Sequence, residues 1–164
     1  MIILRNRKIK LKNKIFNSLL EDNDKNKRDP LPEPFEQPDE WGEYETKYRI
    51  RRSDQYNKDM SGFGEVEKQY VRKLVKDIKN GYIYTDGPNG GDTHYLKKYS
   101  NPNKYHRMSK SINTFDRLVY SIYSPKLEED VETGEKVIAI PIIINSLKGH
   151  NIPGQGLYSN VEEY

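Results

Sequence analysis

Three histidines, at positions 94, 106 and 150, are the side chains of this 164-residue chain whose ordinary pKa lies near neutral pH. The chain has no cysteine, which excludes thiolate nucleophiles, thiolate zinc sites and disulfides. The histidines lack the i,i+4 spacing of a helical zinc pair, and no metal or other cofactor is expected. Arg117 follows the polar residues Asn113, Thr114 and Asp116 and precedes an apolar run; a guanidinium there can hold two oxygens of an anion at once. Lys148-Gly149-His150 follows a second apolar run, Val137–Ile144, so that Arg117 and His150 could converge on one end of a sheet. By pattern alone, an arginine at a turn and a histidine after a glycine are usually solvated loop residues. The Gly-rich TDGPNGGDT at 85–93 lacks the Gly-Lys-Ser/Thr of a nucleotide cradle. The acidic clusters Glu21–Asp24 and Glu128–Asp130 read as solvated loop charge, not as a two-metal site.

The elements that must position these residues follow from periodicity. Lys47–Arg52 alternates Tyr48 and Ile50 with Lys47, Arg49 and Arg51, which predicts a strand with one face to a core and one basic face outward. Ser53 or Asp54 caps a short helix through Met60, and Ser61-Gly62-Phe63-Gly64 breaks it. Glu65–Asn80 is the strongest helix: Val66, Tyr70, Leu74 and Ile78 recur every four residues, and Gly81 stops it. Tyr105–Ile112 and Leu118–Tyr123 flank a polar turn and predict a hairpin. Ser124–Glu135 is read as a long acidic connection, and Lys136–Ser146 as the last strand, placed at an edge or bulge by Pro141. The order is strand, helix, helix, then three strands. That is an α+β domain, an antiparallel sheet with two helices packed on one face.

Composition sets the limits of that domain. With 32% charged and only 34% hydrophobic residues, the chain has apolar surface for a compact part of ~100 residues and a flexible remainder. Residues 1–20 are expected to form a basic amphipathic helical arm through Leu11, Ile15 and Leu19, residues 21–44 a Pro-rich extended linker, residues 45–151 the domain, and residues 152–164 a flexible tail. The net charge of +3 is modest, although residues 1–14 and 47–52 are locally basic, as a polyanion partner would favour. No apolar stretch is long enough to span a bilayer. The N-terminal residues make a poor signal peptide, because Lys and Arg interrupt the apolar ones. No membrane association and a cytoplasmic location are the expectations.

In this order, residues 46–151 resemble the RelE/ParE superfamily of toxins of type II toxin–antitoxin pairs, and most closely its YoeB-type mRNA interferases. The helix QYVRKLVKDIKNG is similar to the family's second helix. His94-Tyr95-Leu96-Lys97-Lys98 is similar to the segment that precedes the family's sheet. Asp116-Arg117-Leu118-Val119-Tyr120 resembles the YoeB-type His-Arg-Leu-Val-Tyr, and Lys148-Gly149-His150 the terminal Lys-Gly-His-Tyr. Asn151 stands where YoeB-type members carry Tyr, and Ser111 where many carry Arg. His94 stands where YoeB has Glu and the YafQ branch has His.

The resemblance implies a RelE-like fold and a metal-independent endoribonuclease that cleaves mRNA at the ribosomal A site by attack of the 2′-OH. It implies mRNA, the ribosome and a cognate antitoxin as partners, with a homodimer open. On this reading His94 and His150 are the base and acid, and Arg117 offsets charge on the phosphate. Lys97, Lys98 and Lys110 position the RNA backbone, and Tyr95 and Tyr99 stack on bases. His106, on the alternating face of Met108 and Lys110, is structural or at the rim. Two further readings stand beside this one: a RelE/ParE-fold protein that acts by binding antitoxin, ribosome or gyrase without cleavage, and a regulatory protein whose basic arm contacts RNA or a partner.

Overall fold

The computed structural model describes residues 28–84, 93–113 and 115–147. The arm (1–20), the first part of the linker, most of the Gly-rich loop, Lys148–Asn151 and the tail lie outside the described residues. The elements are β1 (Arg28–Pro30), a 3-10 turn (Asp39–Glu43), β2 (Glu45–Arg52), α1 (Asp54–Ser61), α2 (Glu65–Lys79) and β3 (Tyr82–Tyr84). They continue with β4 (Thr93–Tyr95), a second 3-10 turn (Lys97–Tyr99), β5 (Tyr105–Ser111), β6 (Arg117–Tyr123), β7 (Lys126–Glu129) and β8 (Lys136–Ser146).

The main sheet runs β2-β8-β6-β5-β4, and β7 also pairs with β8. The architecture is α+β, but the sheet is mixed where an antiparallel one was expected. β2 lies parallel to β8, from Glu45 opposite Val137 to Arg52 opposite Ile144. Local sequence cannot show this, because the pairing joins the first strand of the sheet to the last. β8 is central and buried on both faces, as its near-continuous apolar run suits. Pro141 is therefore not at an edge; it sits at a one-residue register shift, where three steps along β8 from Ile142 to Ala139 face four from Ile122 to Lys126, as the bulge alternative expected. Ser53 N–H donates to Ile144 O, so even-numbered residues of β8 turn their backbone groups toward β2 and odd-numbered ones toward β6 and β7. Pro141 faces the break where β6 gives way to β7, between Ile142 opposite Ile122 and Ala139 opposite Lys126, and no ladder donor is missed there.

Both helices begin where the sequence indicates and end within one residue of the expected positions, at Ser61 and Lys79. The Ser53 side chain accepts from Tyr56 N–H at 3.0 Å as N-cap of α1. Gly81 follows α2 at φ 87°, where a Cβ would meet the Tyr48 ring at 2.7 Å. Val71, Leu74, Val75 and Ile78 of α2 and Tyr56 of α1 share one core with Leu118, Tyr120 and Ile122 of β6 and Ile138, Ile140, Ile142 and Ile144 of β8. Each such side chain stabilises the fold by roughly 1.5–3 kcal/mol on burial.

Two stretches read as solvent-facing connections belong to this framework. The described part of the Pro-rich linker pairs β1 with β3, sinks Leu31 into the core and packs Trp41 and Tyr44 against it. The acidic connection contains β7 and a tight turn, with Asp130 N–H donating to Glu135 O and Gly134 N–H to Asp130 O.

Candidate functional site

The sheet face turned away from the helices carries a set of buried polar side chains. On β5, β6 and β8 the residues that alternate with the core positions are Arg107, Ser109, Ser111, Val119, Ser121, Ile143 and Asn145, all buried. A continuous polar row crosses three strands here. Arg107 Nε donates to Ser121 Oγ at 3.2 Å, and Ser121 Oγ donates to Asn145 Oδ1 at 2.8 Å. The Arg107 guanidinium also lies 4.9 Å from the centroid of the Tyr105 ring, which sits 5.3 Å from Tyr123.

A register shift between Val119 and Tyr120 aims this row. Tyr120 faces Ile144 while Val119 faces Ser146, so Asn145 is the extra residue of a β-bulge. The bulge brings Asn145 and Ser146 together beside Val119, two residues along β6 from Arg117. Arg117 itself stands opposite Ser111 at the mouth of the hairpin. The turn there is fixed by Asn113, whose Oδ1 accepts from Phe115 N–H at 2.8 Å and Asp116 N–H at 2.7 Å.

Among the described residues, Arg117 Nε, Asn145 Nδ2 and Ser146 Oγ are all buried without a hydrogen-bond partner. Leaving a buried donor unmade costs about 1–3 kcal/mol, so three close together on one face are expensive unless something accepts from them. A guanidinium, an amide and a hydroxyl together suit an oxygen-rich anion such as a phosphate. Sequence reasoning singled out Arg117 but missed Asn145, Ser146, Arg107 and Ser121. The bulge that gathers them depends on the offset between two distant strands, and only the polar end of the run Ile142-Ile143-Ile144-Asn145-Ser146 hints at it.

The other expected site residues fall as follows. His94 is in β4, opposite Ser109; it lies two strands and two residues from Arg117, roughly 11–12 Å between backbones. His150 lies outside the described residues. Lys97 and Lys98 are exposed on the turn after β4, and Lys98 Nζ lies 5.8 Å from the centroid of the half-buried Tyr99 ring. Tyr95 is exposed and stacks on His106 at 4.9 Å, while Phe35 meets the other ring of that pair edge-on at 5.0 Å. Lys110 is 0% exposed and alternates onto the core side with Met108, on the opposite face of the sheet from Arg117. The alternating pattern of β5 assigned its face correctly, but the presence of a charge there suggested exposure.

β2 also departs from expectation. Its basic face is matched within the fold: Lys47 Nζ hydrogen-bonds Asp130, and Arg49 Nε donates to Glu128 at 3.2 Å. The hydrogen bond from Lys47 holds the Asp130 carboxyl below the usual carboxylate range, and the same contact raises Lys47. Glu128 and Asp130 are thus counter-ions of β2 and not free loop charge.

Comparison with protein-family models, with curated proteins and with solved structures finds no match to the chain. Among the described residues there is no group of His, Asp and Glu that could hold a metal ion, and no helix long and apolar enough to cross a membrane.

Proposed function

We propose that the chain is an RNA-directed toxin of the RelE/YoeB type: a metal-independent endoribonuclease that acts in the cytoplasm on ribosome-bound mRNA and is restrained by a cognate antitoxin. The observation that carries this reading is the set of unpartnered donors, Arg117 Nε, Asn145 Nδ2 and Ser146 Oγ, on one face of the sheet. Such donors stabilise the charge that builds on a phosphate during attack by the 2′-OH. His94, at a register position on the neighbouring strands, and His150 supply the proton transfers. Lys97 and Lys98, both exposed, hold the backbone of the RNA near the β4 edge.

The test is cleavage of ribosome-bound message read by primer extension. Arg117→Ala lowers cleavage by ~10²–10³-fold, the usual effect of removing one charge-stabilising donor. Full activity in that variant ends the assignment. Ser111 faces Arg117 where many RelE-type members carry a second arginine, which favours the binding-only reading should the wild type itself leave RNA intact and its host unharmed.

A further inference from the structure

A groove of about 440 Å³ lies between β2 and α2, on the opposite margin of the sheet from β4. Its walls carry Arg52 on one side and Arg72, Lys76 and Lys79 on the other, with Tyr48 and Ile50 between them. Arg72, Lys76 and Lys79 recur at i, i+4 and i+7, so they form one stripe along roughly 10 Å of helix, and all three are exposed. Lys47 and Arg49 of β2 have acidic partners in β7 and its turn, whereas no ion pair among the described residues involves this stripe.

The second observation is the strand edge itself. β2 is the outer strand of the sheet. Ser53 N–H points to β8, where it donates to Ile144 O, so by strand alternation Tyr48, Ile50 and Arg52 turn their backbone groups away from β8 and along the groove. A row of open donors and acceptors beside a cationic helix matches one kind of occupant. We infer that the groove is the docking site of an extended acidic segment of a partner protein, which adds as a strand to β2 and sets its carboxylates against Arg52, Arg72, Lys76 and Lys79. Single-stranded RNA fits less well, because the aromatic ring that lines the groove, Tyr48, is half-buried and sits against Gly81 and does not stand out as a platform for bases. This inference is independent of the nuclease reading.

A fluorescein-labelled decapeptide of alternating Glu and Val is the probe, titrated into the full chain at low salt and followed by anisotropy. It binds, and the amides of Tyr48, Ile50 and Arg52 gain protection from hydrogen exchange. Charge reversal at the exposed positions, Arg72→Glu with Lys76→Glu and Lys79→Glu, weakens binding by roughly tenfold or more. The same peptide N-methylated at alternate residues on its pairing edge loses binding although its charge is unchanged. Three results overturn the inference: no binding of the decapeptide, equal binding of its N-methylated form, or equal binding by the charge-reversed variant. Tighter binding of an oligo(U) RNA than of the peptide, lost in the charge-reversed variant, replaces the peptide with a nucleic acid. Circular dichroism of the variant checks that α2 is intact.

Discussion

On the helix side of the sheet, Leu118, Tyr120 and Ile122 meet Ile138, Ile140, Ile142 and Ile144 against α2. On the other side, Ser121, Asn145 and Ser146 of the same strands and Arg107, Ser109 and Ser111 of the adjoining β5 are equally buried. One strand thus builds both an apolar core and a polar platform, because successive side chains point to opposite faces. The first face gains from every methylene removed from water. The second gathers Arg117 Nε, Asn145 Nδ2 and Ser146 Oγ, none of which has a hydrogen-bond partner among the described residues, at a cost to stability; the first has such an atom in Tyr120 Oη. The comparison sets the residues that hold the fold beside those we propose serve the site.

The largest effect expected on stability lies on the first face. Ile142 is 0% exposed, between Ile50 of β2 and Ile122 of β6. Ile142→Ala is expected to lower stability by about 2–5 kcal/mol in urea unfolding, while Ser121→Ala on the opposite face costs less. Equal losses would show that the two faces are not distinct in kind.

A middle-sized effect concerns the charge pairs that tie β2 to the turn after β7. Asp130 ionises more readily in the fold than in the unfolded chain, so its contribution is complete above the usual carboxylate pKa of about 4. It is lost as pH falls through the lowered native value. Lys47 has the opposite sign: its contribution is complete below its ordinary pKa and disappears as pH rises through the raised one. Asp130→Asn therefore lowers the melting temperature at neutral pH and flattens the acid limb of its pH profile. A variant with the wild-type acid limb would show that the contact with Lys47 does not couple to folding.

The smallest effects sharpen the comparison most. Among the described residues, Tyr120 Oη and Ser146 Oγ are both buried without a partner, one on each face, and burial raises the Tyr120 phenol pKa above its ordinary range. Tyr120→Phe and Ser146→Ala each leave stability unchanged or slightly higher, since each removes an unsatisfied polar atom. Only Ser146→Ala weakens RNA cleavage. Loss of cleavage in Tyr120→Phe, or its retention in Ser146→Ala, would move the site off the second face.

Much of this was legible in the sequence wherever the deciding interaction is local. The Ser53 cap, the Gly81 stop and the helix read from the four-residue recurrence appear in the fold as α1 and α2; of the recurring residues Leu74 and Ile78 are buried and Tyr70 half-buried, whereas Val66 is 82% exposed. The hairpin of β5 and β6 and the span Lys136–Ser146 follow alternation and turn chemistry in the same way. What was not legible depends on partners far along the chain. Glu128 and Asp130 look like loop charge until β8 brings them beside Arg49 and Lys47, 79 and 83 residues away. Leu31 looks like part of a proline spacer until β1 finds β3. Asn145 and Ser146 become a pair only through a one-residue slip against β6. Arg117 was visible because its turn is local, and its companions were not.

The parallel pairing of β2 with β8 also dictates when the molecule can be finished. Ser53 and Asn145, joined by a hydrogen bond at 2.6 Å, are 92 residues apart. Closing so long a loop costs chain entropy before its contacts repay it, so this step belongs late in folding. The helices and the β5–β6 hairpin involve near neighbours and form first. During synthesis β2 waits without its partner until β8 has left the ribosome, and throughout that interval Lys47 and Arg49 lack their counter-ions. The nascent chain is therefore more basic and more adhesive along β2 than the finished protein.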